Sequence, residues 1–184
     1  AIKKVPRKFF VEQQFFPRVY QNIALPIGCE QTTSQPYVVA YMISCLKLTN
    51  TKNVLEIGTG TGYQTAILSH LCKYVCTIEI QSKLIDEAKK NIKKLNLKNI
   101  AFKLGNGAKG WKDKVLFDAI IVSAASKKIP SKLLENLKNG GRLIMPKKDS
   151  LENQKLLLIK MNNENYLKEE LLDVRFVPLL SNIT

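Results

Sequence analysis

The most informative stretch of this chain reads Val54-Leu-Glu-Ile-Gly-Thr-Gly-Thr-Gly62. Its first four residues are apolar except for Glu56 and follow the polar residues 51–53, which predicts a short buried strand. The glycines then predict a tight turn, and the apolar pattern from Tyr63 to Leu71 predicts a helix. A strand, a glycine turn and the start of a helix together let the backbone approach a ligand closely and direct free N–H groups at it.

The spacing of the glycines does not favour the commonest nucleotide-binding turn. A dinucleotide fingerprint needs glycine at its first, third and sixth positions. Here Gly58, Gly60 and Gly62 occupy the first, third and fifth positions, and the sixth position is Tyr63. The sequence therefore argues against NAD as the ligand of this turn.

Two acidic residues frame the turn. Glu56 lies two positions before the first glycine, and Glu79 ends the next predicted strand, Tyr74–Glu79. Glu79 is about 20 residues past the glycines, where a carboxylate that binds ribose is expected. An acid, a GxGxG turn and an acid at the end of the next strand resemble the pattern of class I S-adenosylmethionine methyltransferases. The sequence therefore predicts binding of S-adenosyl-L-methionine and of its product, S-adenosyl-L-homocysteine.

Each acid has an expected role in this site. We expect Glu56 to order the glycine turn or to hold the amino group of the cofactor's methionine part. The alternative for Glu56 is a charge at the end of a strand that faces solvent. We expect Glu79 to accept hydrogen bonds from both ribose hydroxyls.

Strand and helix patterns alternate along the rest of the chain. Strands are predicted at 99–104, 117–122 and 142–145, helices at 82–95 and 130–137, and a closing antiparallel hairpin at 155–160 and 167–177. In this scheme Asn139-Gly-Gly141 ends the second helix and Pro146 caps the strand that follows. The order indicates an α/β fold with a doubly wound, mostly parallel, Rossmann-like sheet and a C-terminal antiparallel hairpin. A length of 184 residues predicts a single domain over residues 1–184.

The amino-acid composition argues against some classes of partner. No apolar run reaches the roughly 18 residues that a membrane-spanning helix needs, so no membrane partner is expected. The net charge of +14 invites a nucleic-acid partner, but only four of the 29 basic residues are arginines, the residue that phosphate and base recognition favours. The lysines are spread along the chain, so we interpret them as a solvated surface and expect no nucleic-acid partner. We expect a cytoplasmic monomer.

The cysteines and the histidine predict no metal site. Cys29, Cys45, Cys72 and Cys76 form no CxxC pair, and the single histidine, His70, leaves a zinc site short of ligands. We expect reduced thiols, with Cys45, Cys72 and Cys76 filling gaps in the core.

Several further stretches carry the resemblance to a family. They are Val5-Pro-Arg7, Asn22-Ile-Ala-Leu-Pro-Ile-Gly28, Gln31-Thr-Thr-Ser-Gln-Pro-Tyr37, Gly58-Thr-Gly-Thr-Gly-Tyr-Gln64, Gly140-Gly-Arg142 and Val174-Arg-Phe-Val-Pro-Leu179. Together they closely resemble bacterial protein-L-isoaspartate O-methyltransferase from Val5 to about Leu180. The resemblance implies methyl transfer from S-adenosylmethionine to the free carboxylate of L-isoaspartyl, and of D-aspartyl, residues in damaged proteins and peptides. The resulting ester starts repair through a succinimide.

The resemblance makes Ser34 the active-site serine. A carboxylate is already ionised at neutral pH, and the methyl group is already activated, so the chemistry needs positioning more than a base or a metal. We therefore expect Ser34 to hold one carboxylate oxygen rather than to act as a covalent nucleophile. From the residues alone, Ser34 could instead cap the helix predicted to start near Pro36.

The resemblance also assigns residues to the two ends of the cofactor. Gln31, Thr32 and Thr33 are expected to line its methionine end, and Ser34 is expected to contact the cofactor as well. Asn106 and Gly107 form a turn next to the adenine, although the family usually has Asp where this chain has Asn106. An amide oxygen still accepts a hydrogen bond from the adenine amino group, so we expect weaker binding rather than none.

Two other functions stay open. One is a class I methyltransferase that acts on RNA or ribosomal protein, which the basic charge favours. Against it, the chain reads Ser123-Ala-Ala-Ser126 after the fourth predicted strand and lacks the Asn/Asp-Pro-Pro-aromatic motif used for planar nitrogens. The other is a cofactor-binding remnant without activity. The family carries a helical segment before its Val-Pro-Arg motif, and only Ala1–Lys4 precede that motif here, so the segment is expected to be missing. The resemblance makes Val174–Leu179 a strand that borders the peptide cleft.

Overall fold

The computed structural model describes residues 1–112, 115–163 and 165–180. Its strands are β1 (Leu25–Gly28), β2 (Gln31–Thr33), β3 (Asn53–Ile57), β4 (Tyr74–Glu79), β5 (Ile100–Leu104), β6 (Phe117–Val122), β7 (Leu137–Lys148), β8 (Gln154–Asn162) and β9 (Asn165–Asp173). Its α-helices are α1 (Pro36–Cys45), α2 (Tyr63–Ser69), α3 (Ser82–Lys94) and α4 (Ser131–Glu135). Short 3₁₀ turns cover Ile2–Lys4, Arg7–Phe10, Gln13–Arg18 and Gly107–Lys109.

Within the described residues, β3 to β9 form one sheet in the order β5-β4-β3-β6-β7-β8-β9, and β1 pairs with β2 separately. The strands from β5 to β7 are parallel, and β8 and β9 join as antiparallel strands. Strands β3 and β6 are buried on both faces, as central strands of a parallel sheet are. The predicted fold class is confirmed, whereas the single domain over residues 1–184 stays a prediction.

The two faces of the sheet carry separate apolar clusters. Side chains alternate between the faces along a strand, so Val54 and Leu55 of β3 enter different clusters. The cluster that contains Val54 also contains residues of α1 and α2, such as Met42 and Ile67. The cluster that contains Leu55 includes Leu133 of α4. Because β3, β4 and β6 are parallel, their carboxyl ends meet at one edge of the sheet, where a ligand site of this fold class is expected.

The region before β7 differs from its prediction. The helix predicted at 130–137 covers only Ser131–Glu135, and Asn139-Gly-Gly141 lies inside β7 instead of ending a helix. Leu137 pairs with Phe117 and Arg142 pairs with Ala119, so several residues of β7 face one residue of β6. Gly140, with φ of +73°, absorbs this irregularity, as glycine does at β-bulges.

Pro146 also differs from its prediction, because it lies within β7 rather than capping a strand. It pairs with Leu156 of β8, and its carbonyl accepts a hydrogen bond from the backbone N–H of Ser126. In a strand, the N–H and the C=O of one residue point to the same side. The N–H that proline lacks would therefore face the side where β6 has already ended at Val122, so no sheet hydrogen bond is lost.

The predicted C-terminal strand is too long. Strand β9 ends at Asp173, and residues 174–177 leave the sheet. The side chain of Gln154 holds this segment, because its amide accepts from the N–H of Phe176 (2.7 Å) and donates to the carbonyl of Phe176 (3.1 Å). The expectation that Val174–Leu179 forms a strand is wrong, although the segment makes one isolated bridge, between Pro178 and Ala125.

Candidate active site

The segment that carries Ser34 follows a short hairpin. Gln31, Thr32 and Thr33 form β2, which pairs antiparallel with β1. Helix α1 then begins at Pro36, where a residue without an N–H is well tolerated, and Gln35 takes the N-cap position without a side-chain capping bond. The alternative that Ser34 caps this helix is therefore wrong.

Arg7 fixes the backbone of this segment. Arg7 is only 1% exposed. Its guanidinium donates hydrogen bonds to the carbonyl oxygens of Val19 (2.9 Å), Gln21 (3.3 Å), Ile23 (2.9 Å) and Ser34 (3.0 Å). Burial lowers the pKa of Arg7, but a guanidinium stays charged in proteins. Arg7 thus ties the N-terminal segment to the Ser34 backbone. The sequence placed Arg7 in a family motif and provided no signal for these contacts.

Glu56 is fully buried, so the alternative of a solvent-facing charge is wrong. Its Oε1 accepts from Gln64 Nε2 (3.0 Å), and its Oε2 accepts from the hydroxyls of Thr65 (2.5 Å) and Thr77 (2.7 Å). Burial raises the pKa of Glu56 to about 7, against the opposing effect of these three hydrogen bonds. Because Gln64 and Thr65 lie in the first turn of α2, Glu56 holds together the two elements that flank the glycine turn.

Glu79 binds the glycine turn from the neighbouring strand. Its Oε2 accepts from the N–H of Gly60 (2.7 Å), and its Oε1 accepts from the N–H groups of Ile80 (2.8 Å) and Gln81 (3.0 Å). Burial raises the pKa of Glu79, and the backbone hydrogen bonds oppose the rise. An ionised carboxylate accepts about four hydrogen bonds, so these three leave room for one ribose hydroxyl, and a second hydroxyl would have to share an acceptor site with another donor.

Two cavities and a small pocket between them meet at the carboxyl edge of the sheet. The first cavity, here called the glycine cleft, has a volume of about 80 Å³, and its lining includes Gln31, Thr32, Gly58, Gly60, Glu79 and Gly107. The second, here called the serine cavity, has a volume of about 390 Å³, and its lining includes Thr32, Ser34, Val38, Ser123 and residues 173–177. A connecting pocket of about 40 Å³ is lined by residues that include Thr33, Ser34, Gly58, Gly60 and Ser123. The structure therefore brings most of the predicted site residues together.

Three predicted cofactor-binding residues, Glu56, Gly62 and Asn106, line none of the three cavities. Glu56 contacts side chains of α2 and β4, as described above. Gly62 is the N-cap of α2 with φ of +97°, and a Cβ there would lie 3.3 Å from Cβ of Ala88 in α3. Gly62 thus serves the close packing of two helices beneath the turn.

The predicted adenine-side turn is shaped by close packing. A Cβ on Gly107 would lie 2.2 Å from Cγ2 of Ile57, so only glycine fits in this part of the cleft. Asn106 precedes it as the N-cap of the 3₁₀ turn, and its Oδ1 accepts from the N–H of Ala108 (2.8 Å). The side chain of Asn106 therefore stabilises the turn that places Gly107 in the cleft lining.

Ser123 and Gln64 are site residues that the sequence reasoning missed. Ser123 directly follows β6, and its Oγ accepts a hydrogen bond from Gln64 Nε2 (3.0 Å). Its position was a usable signal, because a polar residue at the carboxyl end of a buried parallel strand faces the ligand edge of the sheet.

The remaining titratable groups offer little chemistry. Within residues 1–112, 115–163 and 165–180, no group of three or more His, Cys, Asp or Glu side chains is placed to hold a metal ion. Burial raises the thiol pKa of Cys72 to about 12 and that of Cys76 to about 11, and both thiols pack in the core as predicted. In the described part of the chain, the helices are too short or too polar to cross a membrane.

The whole chain, residues 1–184, matches the model of the protein-L-isoaspartate(D-aspartate) O-methyltransferase family. The chain belongs to this family. The protein-L-isoaspartate O-methyltransferase of Dictyoglomus turgidum is 51% identical over 179 residues, which cover 97% of this chain and 81% of the relative. The enzyme of the same name from Photobacterium profundum is 48% identical over 181 residues, which cover 98% of this chain and 86% of the relative.

Solved structures agree with this assignment. A protein-L-isoaspartate O-methyltransferase structure superposes with a TM-score of 0.88 at 30% identity, and the match covers 97% of this chain but only 59% of that chain. A putative protein-L-isoaspartate O-methyltransferase of Plasmodium falciparum, solved in complex with S-adenosyl-L-homocysteine, has a TM-score of 0.81 at 25% identity, with 98% and 88% of the chains covered. The family predicted from the sequence motifs is confirmed.

Proposed function

We propose that this chain methylates the free carboxylate of L-isoaspartyl residues, and of D-aspartyl residues, in damaged proteins and peptides. Family membership confirms the predicted methyltransferase activity and the predicted cofactor, S-adenosyl-L-methionine. The observation that carries the proposal is the junction of the two cavities: Ser34 lines the serine cavity, Glu79 lines the glycine cleft, and Thr32 and Ser123 line both.

The glycine cleft presents groups that suit the adenosyl part of the cofactor. Glu79 offers a buried carboxylate with room for a ribose hydroxyl, and the missing side chain of Gly107 lets the adenine-side turn pack directly against Ile57. We assign Gln31, Thr32 and Thr33 to the methionine end, which β2 places beside the glycine turn. When bound, S-adenosyl-L-methionine supplies a methyl group on a positively charged sulfur, which becomes a neutral thioether when a carboxylate oxygen takes the methyl carbon.

The remaining residues of the cofactor set have defined places in this assignment. Gly58 and Gly60 present backbone to the cleft, while Glu56 and Gly62 hold the turn from behind. Asn106 stabilises the turn on the adenine side and stands in for the aspartate that the family usually has there.

The serine cavity supplies positioning. The substrate carboxylate arrives ionised, so the chain needs to orient one oxygen and exclude water. We assign Ser34 to hold one carboxylate oxygen through its hydroxyl. Val38, Phe176 and Val177 add apolar surface to the same cavity, which reduces competition from water for the carboxylate.

The surroundings of the serine cavity suit a polypeptide substrate. Asp173, Val174 and Arg175 line the serine cavity and also line a neighbouring groove of about 750 Å³. That groove carries charged residues of both signs, Lys148 and Glu152 among them. A chain that enters the serine cavity with one residue therefore finds continuous space for its flanking residues.

The test is a methyl-transfer assay with labelled cofactor, an isoaspartyl peptide and its normal aspartyl twin. We expect label on the isoaspartyl peptide and none on the twin. Label on neither peptide favours a cofactor-binding remnant, and label on added RNA or ribosomal protein favours the other alternative function. The described structure contains no observation that favours either alternative.

We further propose that the chain acts in the cytoplasm as a monomer without a nucleic-acid partner. The composition supports the last of these points, because only four of the 29 basic residues are arginines, the residue that phosphate recognition favours. Light scattering of the purified chain tests the monomer, and filter binding to RNA at physiological salt tests the absence of a nucleic-acid partner. Dimers, or RNA binding that survives this salt concentration, contradict the proposal.

A further inference from the structure

Ser123 lies in the wall that the cavities of the site share. Among the described residues, only Thr32 and Ser123 line the glycine cleft, the serine cavity and the connecting pocket together. The backbone of Ser123 is fixed, because its N–H donates to the carbonyl of Ile57 at 2.9 Å. A group that moves from the serine cavity towards the glycine cleft therefore passes Ser123.

The hydrogen bonds of Gln64 set the direction of the Ser123 hydroxyl. The Gln64 amide nitrogen has two protons; one is donated to Oε1 of Glu56 and the other to Oγ of Ser123, both at 3.0 Å. Glu56 is held in turn by the hydroxyls of Thr65 and Thr77, so the amide cannot rotate without breaking a buried network. Ser123 Oγ is therefore an acceptor towards Gln64, and its own proton points away from it.

Among the described residues, Ser123 Oγ makes one side-chain hydrogen bond, which it accepts from Gln64. Its own proton therefore has no acceptor in this part of the chain. A partly buried hydroxyl of this kind suits an acceptor that arrives with the ligand. The connecting pocket places Ser123 with Ser34, and the group that must come to Ser34 in the proposed function is a carboxylate, which only accepts hydrogen bonds when ionised.

We propose that Ser123 donates its hydroxyl proton to the isoaspartyl carboxylate, so that Ser34 and Ser123 hold the reacting group from two sides. This inference rests on the proposed function. Two donors define the plane of a carboxylate, whereas one donor leaves it free to rotate about a single hydrogen bond. Gln64 and Glu56 act through Ser123 as positioning residues, and they link the buried network behind the glycine turn to the substrate.

The experiment compares Ser123→Ala and Ser123→Thr with a matched control, Ser126→Ala. Ser126 lies in the same segment, but its hydroxyl accepts from the N–H of Lys128 (3.3 Å), and it lines none of the three cavities. The measurements are kcat/KM with an isoaspartyl peptide and the dissociation constant of S-adenosyl-L-methionine. Loss of a hydrogen bond to a charged group predicts a roughly 10- to 100-fold lower kcat/KM for Ser123→Ala. We expect Ser123→Thr to recover most of the activity and Ser126→Ala to match the parent.

The dissociation constant of S-adenosyl-L-methionine distinguishes a Ser123 contact with the peptide from a contact with the cofactor. Unchanged kcat/KM in Ser123→Ala overturns the inference while the proposed function stands. A parallel loss of cofactor affinity also overturns it, because the hydroxyl then serves the cofactor. Absence of isoaspartyl methylation in the parent chain overturns both the inference and the proposed function. Cofactor affinity within about threefold of the parent, which is less than 1 kcal/mol, shows that Ser123→Ala is folded and supports a contact with the peptide.

A double-mutant cycle tests the role of Gln64. Gln64→Met keeps the length of the side chain but removes the donor that orients Ser123. We expect Gln64→Met to lower kcat/KM in the parent and to have little further effect on kcat/KM in Ser123→Ala, because its influence passes through that hydroxyl. Equal effects in both backgrounds overturn the positioning role of Gln64.

Discussion

The glycine cleft and the serine cavity share a wall but are built from different kinds of sequence. The glycine turn and Glu79 at the centre of the cleft come from residues 56–79, where consecutive parallel strands bring them together. Residues from more distant segments, such as Gln31, Gly107 and Val177, complete its lining. The serine cavity joins residues 24–38, Ser123 and residues 173–177, which meet only in the folded chain. The centre of the cleft therefore depends on a local motif, whereas the whole serine cavity depends on long-range anchors such as Arg7.

Removal of the long-range anchor tests this difference most strongly. Arg7→Met leaves four carbonyl groups without their buried donor. We expect the free energy of unfolding to fall by roughly 3 kcal/mol or more, and methyl transfer to fall further than cofactor affinity. Urea denaturation provides the measurement. The control is Arg18→Met, an exposed arginine whose contact to Gln21 is only 3.4 Å, with an expected change of about 0.5 kcal/mol or less. Equal losses in the two variants would show that Arg7 is not an anchor.

The pH dependence of stability tests the network behind the glycine cleft. The folded pKa of Glu56 is raised from 4.5 to about 7, so the folded chain keeps a proton that the unfolded chain loses. The contribution of Glu56 to stability is therefore full below pH 4.5 and is lost as the pH rises to about 7. The loss amounts to roughly 3 kcal/mol at most. Glu56→Gln, measured by denaturation at several pH values, should remove this dependence; a parent whose stability rises relative to Glu56→Gln over the interval would reverse the assigned sign.

Ser34 tests the catalytic side of the serine cavity. Ser34→Ala removes a hydrogen bond to an ionised carboxylate, so methyl transfer should fall roughly 10- to 100-fold with measurable residual activity. Cofactor affinity should stay within about threefold, since this is under 1 kcal/mol. Ser44→Ala is the control, because Ser44 is exposed and its hydroxyl donates to the carbonyl of Tyr41 within α1. Turnover equal to the parent in Ser34→Ala would remove Ser34 from the active site.

Glu79 tests the cofactor side in the same way. Glu79→Ala removes a ribose contact and the acceptor of the Gly60 N–H, so affinity for S-adenosyl-L-methionine should fall at least about tenfold. Calorimetry with S-adenosyl-L-methionine and with NAD provides the measurement, and the parent should bind only the former. Asp86→Ala, at an exposed ion pair with Lys89 (3.6 Å), is the control. Tight binding of NAD together with no binding of S-adenosyl-L-methionine would contradict the cofactor assignment.

The smallest expected effect is at the adenine-side turn. Asn106→Asp should tighten cofactor binding by a few-fold, because an ionised acceptor makes a stronger hydrogen bond than an amide does. An aspartate can also keep the capping bond to the N–H of Ala108. Titration of both forms with S-adenosyl-L-homocysteine measures the change. Weaker binding by Asn106→Asp would show that this turn does not face the adenine.

The accuracy with which the sequence pattern predicted the bounds of the strands differed between elements. Strands β3, β4 and β6 were predicted within a residue of their bounds, because buried parallel strands are short apolar runs between polar or glycine residues. The elements near β7 were predicted less accurately, because proline and glycine usually end regular structure, whereas Pro146 and Gly140 lie inside β7. Their acceptance inside β7 depends on where the neighbouring strand β6 ends, and a single-segment pattern carries no such information.

The residue pattern alone predicted the α/β class and the cofactor turn, because strand, turn and helix signals act between neighbouring residues, and the resemblance of its motifs predicted the family. Only the tertiary structure buries Glu56 and brings the Arg7 guanidinium to the Ser34 carbonyl, 27 residues away in the chain. It also orients the Ser123 hydroxyl through its hydrogen bond with Gln64, which is 59 residues away. These contacts follow no sequence period. They arise because parallel strands align their carboxyl ends at one edge, where side chains distant in the chain meet and where a buried donor must find an acceptor.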